Sequence, residues 1–281
     1  MSDKQSTAAT PAADSRPLSG VRIVTIAQNV PGPVAVARLV SEGANAVKVE
    51  PPAGDPLATM SRDWYDELHA GITVERLDLK DPSGRARFGA LLRDADLLVT
   101  SHRLSALGRL GLDPAALSRE APTLRLLRIV GTVAEPDTPG HDLTYQAQAG
   151  LVRTEMPPTL FADLVAAERA VSAALLLLRE PAGSVRDVGI ADSLDSLQQP
   201  IRRGLTTPTG LLGGGIPNYQ VYPTKDGYIA VAALEPHFER RLYEVLELSP
   251  GAELGSHFLA RTAVEWEGWA RTHDLPVVAV I

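Results

Sequence analysis

Cysteine is absent from all 281 residues, which excludes disulfides, thiolate catalysis and zinc–thiolate sites. That fits a reducing compartment, and the cytoplasm is the expected location. Aromatic residues are scarce, at 5%. Alanine, leucine and valine fill the apolar fraction instead, which favours aliphatic helix–sheet packing over an aromatic-rich β-sandwich. Positive charge is in deficit: 27 Lys and Arg against 34 Asp and Glu leave a net charge of −7. A nonspecific nucleic-acid partner is therefore not expected, since neutralising phosphates needs a basic face. A local basic patch can still hold a small phosphorylated ligand. Long hydrophobic runs are missing too. The apolar stretch 173–178 is far too short to span a bilayer, so no membrane partner is expected. Residues 1–16 lack the apolar segment of a secretory signal and read as a disordered tail. What remains, 44% apolar and 22% charged, is ordinary for a globular protein. The length suits one large domain plus a smaller one.

Residues 21–26 read as a short buried parallel strand with Arg22 near its exposed start. A loop at 27–32 leads to a helix ending near 42, with Gly43 where a C-terminal cap belongs. A second strand, 46–50, stops at Pro51 and Pro52. Further strands are expected at 97–100 and 124–130, and helices at 83–93 and 114–120. Strands alternating with helices predict an α/β fold built on a Rossmann-like, doubly wound parallel sheet. In the helix expected at 160–178, Leu160, Leu164, Val171, Leu175 and Leu178 recur at helical spacing and mark its core face. A strand at 185–190 and a polar helix from 192 follow, then a Gly-, Pro- and Thr-rich stretch, 204–217, that reads as a mobile loop or linker. Beyond it come a strand at 228–232, a helix at 236–248 opened by Pro236, and a strand-like run at 276–281. The domain layout is a tail (1–16), a large Rossmann-like domain (17–185), a linker (186–225) and a second, smaller domain (226–281).

The first βα unit invites a dinucleotide reading, because Glu50 ends the second strand where a ribose-binding acid sits. The preceding loop, Asn29-Val30-Pro31-Gly32-Pro33, carries one glycine where the fingerprint needs three. The scaffold is thus expected without the nucleotide. Chemistry concentrates in Gly140-His141-Asp142 and in Ala162-Asp163-Leu164, with a third acid at Glu235. A histidine and a carboxylate meeting at one cleft can take a proton from one side of a carbon and return it from the other. Each residue also has a plainer explanation. Asp142 suits the cap of a helix running through Tyr145, Asp163 suits a helix first turn, and Glu235 precedes the helix-starting Pro236.

The ordered set of motifs resembles the class III CoA-transferase family, and within it the racemase branch that acts on 2-methylacyl-CoA thioesters. Its landmarks are Pro17-Leu18-Ser19-Gly20-Val21-Arg22, Val47-Lys48-Val49-Glu50-Pro51-Pro52, Leu77-Asp78-Leu79-Lys80 and Leu107-Gly108-Arg109-Leu110-Gly111-Leu112. Gly140-His141-Asp142, Ala162-Asp163-Leu164, Gly213-Gly214-Gly215-Ile216-Pro217-Asn218-Tyr219 and Ala233-Leu234-Glu235-Pro236 complete them. The resemblance implies that His141 and Asp163 are the two proton-transfer groups and that Glu235 supports the histidine. It implies that Arg38 and Arg103 contact the CoA nucleotide, and that Asp142 and Tyr145 line the thioester region. The implied substrate is an acyl-CoA, with coenzyme A entering as part of it, no separate cofactor and no metal. The implied assembly is a homodimer. Two alternatives stay open: a CoA-transferase working through an aspartyl-CoA thioester on Asp163, and a non-catalytic paralogue. Three departures stand out. Ile72 and Thr73 occupy positions that carry basic residues in the family. Gly131-Thr132-Val133-Ala134-Glu135 replaces a Ser/Gly-rich turn. The sequence also ends before the family's final crossing segment, which helps interlock two subunits.

Overall fold

The computed structural model describes residues 16–152 and 154–281. All of the expected tail except Arg16 lies outside them. The chain divides into two compact units between Ser196 and Leu197, within the stretch expected to link the domains.

The first unit is a six-stranded, wholly parallel sheet. Its strands are β1 (Arg22–Thr25), β2 (Asn45–Glu50), β3 (Thr73–Arg76), β4 (Leu97–Thr100), β5 (Arg125–Val130) and β6 (Val185–Gly189), in the order β3-β2-β1-β4-β5-β6. The order reverses between β1 and β4, which opens a crevice outside the carboxyl ends of those strands. One face is covered by α1 (Pro31–Ser41), with the short α2 (Leu57–Met60) and α3 (Arg62–Leu68) beside it. The opposite face carries α4 (Pro82–Arg93), α5 (Leu104–Arg109) and α6 (Pro114–Glu120). Then come α7 (Asp142–Gln148), α8 (Phe161–Leu177) and α9 (Ile190–Ser193), and α10 (Asp195–Arg202) carries the chain across the boundary into the second unit.

Strand alternation builds the two cores. Ile23, Ala27 and Ala46 face α1 and α8, while Val24, Ile26 and Val49 face Phe88, Leu92 and Leu117. The helix α8 departs from the leucine face expected of it. Its buried face is alanine: Ala162, Ala166, Ala170, Ala173 and Ala174, ending in Leu177. Leu175 and Leu176 are exposed. Small side chains let α8 lie close against α1 and the sheet, where a leucine row would hold it away.

The second unit holds the antiparallel sheet of β7 (Tyr219–Pro223), β8 (Tyr228–Ala232) and β9 (Val277–Ala279), with β8 central. Around it lie α11 (Pro236–Val245), α12 (Gly255–Phe258) and α13 (Ala263–Thr272). Tyr222, Ile229, Val231, Leu242, Phe258 and Trp266 form its core. The 204–217 stretch, expected as an open loop or linker, folds on itself in successive turns. Leu212 N–H donates to the Leu205 carbonyl, and Gly213 and Gly215 both donate to Gly210, each at 2.9 Å. No helix among the described residues is long and apolar enough to cross a membrane.

Candidate active site

The switch-point crevice of the first unit holds a cavity of about 200 Å³. Gln28, Asn29 and Pro31 enter it from the end of β1, and Ser101, His102 and Arg103 from the end of β4. Gly140, His141 and Tyr145 come from the loop after β5 and the start of α7, and Asp163 from the first turn of α8. Two residues 22 positions apart, His141 and Asp163, therefore reach one cavity because β5 ends, and α8 begins, at the same edge of the sheet.

His141 is the N-cap of α7, in extended conformation. Its backbone is pinned by Thr144, whose hydroxyl accepts from the His141 N–H at 3.0 Å. The imidazole is exposed to the cavity. Asp142, expected to cap its own helix, does something else. It is buried (7% exposed), and Oδ1 reaches across to accept the N–H groups of Ala162 and Asp163 at 2.9 and 3.1 Å. Oδ2 accepts from Gln146 Nε2 at 2.6 Å. Leu160, at the N-cap of α8, has no side chain able to cap it. Asp142 supplies that cap from another element, and its negative charge sits favourably at the positive end of α8. Its carboxylate is thus turned away from the cavity, whose lining it does not join.

Asp163 has the opposite environment. Among the described residues nothing donates a hydrogen bond to its carboxylate. Burial, reinforced by the charge of Asp142, pushes its carboxyl up to about 7. Tyr145 is buried beside it, and burial together with the Asp163 charge raises the phenol above its ordinary value. The ring is packed against glycines: a Cβ on Gly140 would lie 2.4 Å from it, and one on Gly131 2.5 Å from its hydroxyl. Those two glycines are the reason the tyrosine fits under the loop.

The remaining site candidates are more dispersed. Arg103, exposed, is at the cavity wall. Arg38 is exposed in the last turn of α1, about 10 Å along the helix from Pro31 at the cavity. Glu235 is the N-cap of α11 in the second unit; its side chain does not cap that helix, and it is not among the cavity's lining residues. Ile72 packs against the main core, and Thr73 opens the edge strand β3. Sequence reasoning passed over Gln28, Asn29 and His102. Each follows directly on β1 or β4, so the switch-point rule was the signal available. Burial holds the His102 imidazole below its ordinary pKa. Glu50, the residue in the ribose-binding position, is buried and bonded to Tyr65.

Residues 18–262 match the family model of CoA-transferase family III. The chain is 29% identical to the human alpha-methylacyl-CoA racemase, over 82% of this chain and 65% of that protein. It is 28% identical to the succinate–glutarate CoA-transferase of Agrobacterium fabrum, over 84% and 68%. A CaiB/baiF CoA-transferase family protein of Caenorhabditis elegans shares 26% identity over 94% of this chain and 86% of its own. The fold is that of a hypothetical protein from Mycobacterium tuberculosis, with a TM-score of 0.81 at 24% identity, covering 95% of this chain and 86% of that one. A CaiB/BaiF family protein of Brucella suis superposes with a TM-score of 0.75 at 20% identity, over 95% and 84%. With a family match that takes in the whole parallel sheet, β7 and β8 of the small one, and the His141–Asp163 cavity, the chain belongs to CoA-transferase family III.

Proposed function

We propose that the protein racemises or epimerises the α-carbon of a 2-methylacyl-CoA by two-base proton transfer. The observation that carries this reading is that His141 shares one cavity with Asp163, whose carboxylate accepts no hydrogen bond among the described residues. In one direction neutral His141 takes the α-proton, the C–H electron pair moves into the thioester as an enolate, and protonated Asp163 returns a proton to the opposite face. In the other direction the two exchange roles. The enolate oxygen needs a donor where charge develops, and the Tyr145 hydroxyl, held protonated by its surroundings, is available inside the cavity. Arg103 and Arg38 are the cations offered to the CoA phosphates.

The same lone carboxylate supports a second reading, as the nucleophile of a CoA-transferase. Ionised Asp163 would attack the thioester carbonyl and expel the CoA thiolate, leaving a mixed anhydride. The thiolate would then attack the Asp163 acyl carbon, releasing the first acid and forming an aspartyl-CoA thioester. One experiment separates the two. A panel of single-enantiomer 2-methylacyl-CoA esters is incubated in deuterated water with no second acid present, and the α-position is followed by NMR. Racemisation predicts deuterium at Cα and loss of enantiomeric excess, both abolished in Asp163→Ala. No exchange with any member of the panel, together with a trapped covalent CoA adduct on Asp163, overturns it in favour of transfer.

A further inference from the structure

Behind the Gln28–Asn29 wall of the cavity lies a cluster of charged side chains that the proposed chemistry does not use. Lys48 and Glu50 are two residues apart on β2 and so project to the same face of the sheet, each 1% exposed. Lys48 Nζ lies 2.5 Å from Asp55 Oδ2, 2.8 Å from His69 Nε2 and 3.4 Å from Glu50 Oε1, which occupies its three donors. His69 Nδ1 lies 2.6 Å from the Tyr65 carbonyl. That contact assigns Nδ1–H as donor and leaves Nε2 to accept from Lys48. Burial, with the Lys48 charge adding to it, holds this imidazole below its ordinary pKa, in keeping with the neutral tautomer. The Tyr65 hydroxyl donates to Glu50 at 2.6 Å, and Arg76 stands 3.9 Å from the other Glu50 oxygen.

A buried ionic cluster is a weak source of stability compared with an apolar core of the same shape. Its second oxygen shows what Asp55 does with this anchoring. Asp55 Oδ1 accepts the N–H groups of Asn29 at 3.0 Å and of Leu57 at 2.9 Å. Asn29 stands in the left-handed region, at φ 64°, which asparagine tolerates better than other non-glycine residues, and the Asp55 carboxylate fixes it there. Its neighbour Gln28 is tied on both sides, by its N–H to Ser101 Oγ at 3.0 Å and by Nε2 to the Gly54 carbonyl at 3.4 Å. Asn29, Gln28 and Ser101 all line the cavity of His141 and Asp163.

We propose that Asp55 is a positioning residue of the reactive cavity: gripped by Lys48 on one oxygen, it fixes with the other the Asn29 turn against which an acyl-CoA is seated. The seating half of this inference rests on the acyl-CoA reading above, and the clamp itself does not. The test therefore has a ligand-free arm and a ligand arm, run on wild type, Asp55→Asn and Asp55→Ala. Amide exchange by NMR reads the clamp. Asp55→Ala is expected to speed exchange at Asn29 and Leu57 by about tenfold or more while the β1, β4 and β5 amides keep their wild-type rates. Asp55→Asn keeps an oxygen for the two amides but turns an NH2 toward Lys48, and its exchange is expected to fall between wild type and Asp55→Ala. Calorimetry with CoA reads the seating: affinity falls by about tenfold or more in Asp55→Ala and is partly rescued in Asp55→Asn. If Asp55→Ala does not fold, Asp55→Glu takes its place. It keeps the charge opposite Lys48, shifts the carboxylate off the two amides, and is expected to lose CoA affinity likewise. Unchanged exchange at Asn29 overturns the clamp, and wild-type CoA affinity alongside accelerated exchange overturns the seating. A wild-type protein that binds no CoA removes the acyl-CoA reading, and the exchange arm alone then upholds or overturns the clamp.

Discussion

Replacing Asp163 by asparagine should stabilise the protein at neutral and alkaline pH and do little in acid. The native carboxyl titrates near 7 against 3.8 when free in solution, because the cavity wall strips it of water and Asp142 lies close by. The native state therefore holds a proton that the unfolded chain has already lost, and wild-type stability falls as pH rises from about 4 to about 7 and then levels off. Three pKa units at about 1.4 kcal/mol each set a ceiling of about 4 kcal/mol on that loss. An ionised carboxylate in the first turn of α8 regains up to about 1 kcal/mol from the helix dipole, which asparagine forgoes. The expected gain for Asp163→Asn is then about 2–4 kcal/mol above pH 7, shrinking toward zero near pH 4. Urea denaturation of both proteins at pH 4.5, 6, 7 and 8.5 reads the difference directly. A gap that is the same at every pH, or an asparagine variant less stable than wild type at pH 8.5, would refute the assigned environment of Asp163.

Three further outcomes follow from the same contacts. Asp142→Asn keeps an oxygen for the Ala162 and Asp163 amides but removes the like charge, so the Asp163 carboxyl should titrate at lower pH by carbon-13 NMR; an unchanged titration would show that Asp142 acts only as a cap. Gly140→Ala places a methyl group 2.4 Å from the Tyr145 ring and should cost about 1–3 kcal/mol in chemical denaturation, with Tyr145→Ala in the same chain recovering part of it. Lys48→Met leaves the buried Asp55 and Glu50 carboxylates without the cation they share and should cost about 3–5 kcal/mol, whereas Lys48→Met combined with Asp55→Leu should cost less than the two single changes added together.

The large sheet was legible wherever a strand is an apolar run closed off by turn residues. β1 and β4 have that form, and β8 has it in the small sheet. β3 does not. It is an edge strand, Thr-Val-Glu-Arg, with three of its four residues exposed, and it carries neither a continuous apolar run nor an alternation to read. The core face of α8 was misread for a related reason. Leucine at helical spacing is the stronger hydrophobic signal, but the face that packs closely is set by how near the neighbouring backbone comes, and there alanine wins. At the site, the meeting of His141 and Asp163 was expected from the ordered motifs of the family resemblance, since each residue alone has a plain helix-start explanation. The task of Asp142 was not. Capping is read from sequence as a local event, and a carboxylate that caps a helix 20 residues ahead looks no different from one that caps its own.

The adjacency of His141 and Asp142 ties the two proton-transfer groups of the proposed racemisation together more tightly than the shared cavity alone. One turn of backbone points the imidazole at the cavity and sends the next side chain under the first turn of α8, where Asp142 holds the Asp163 amide. A two-base reaction needs that fixed relation, because each group must address its own face of one carbon, and a loose second group would lose protons to water. It also needs a carboxyl that serves as acid in one direction and base in the other, and a group titrating near 7 supplies both forms at neutral pH. Nucleophilic attack on a thioester uses the ionised form alone, so the proton that burial and Asp142 retain on Asp163 would only subtract from it. The rate in the direction where Asp163 is the acid should therefore decline as pH rises through 7, and the transferase rate should climb over the same interval. Because Asp142 is at once the clamp and the neighbouring charge, its position and its influence on acidity are bound together. Asp142→Ala should disturb both, while Asp142→Asn should move only the pH profile.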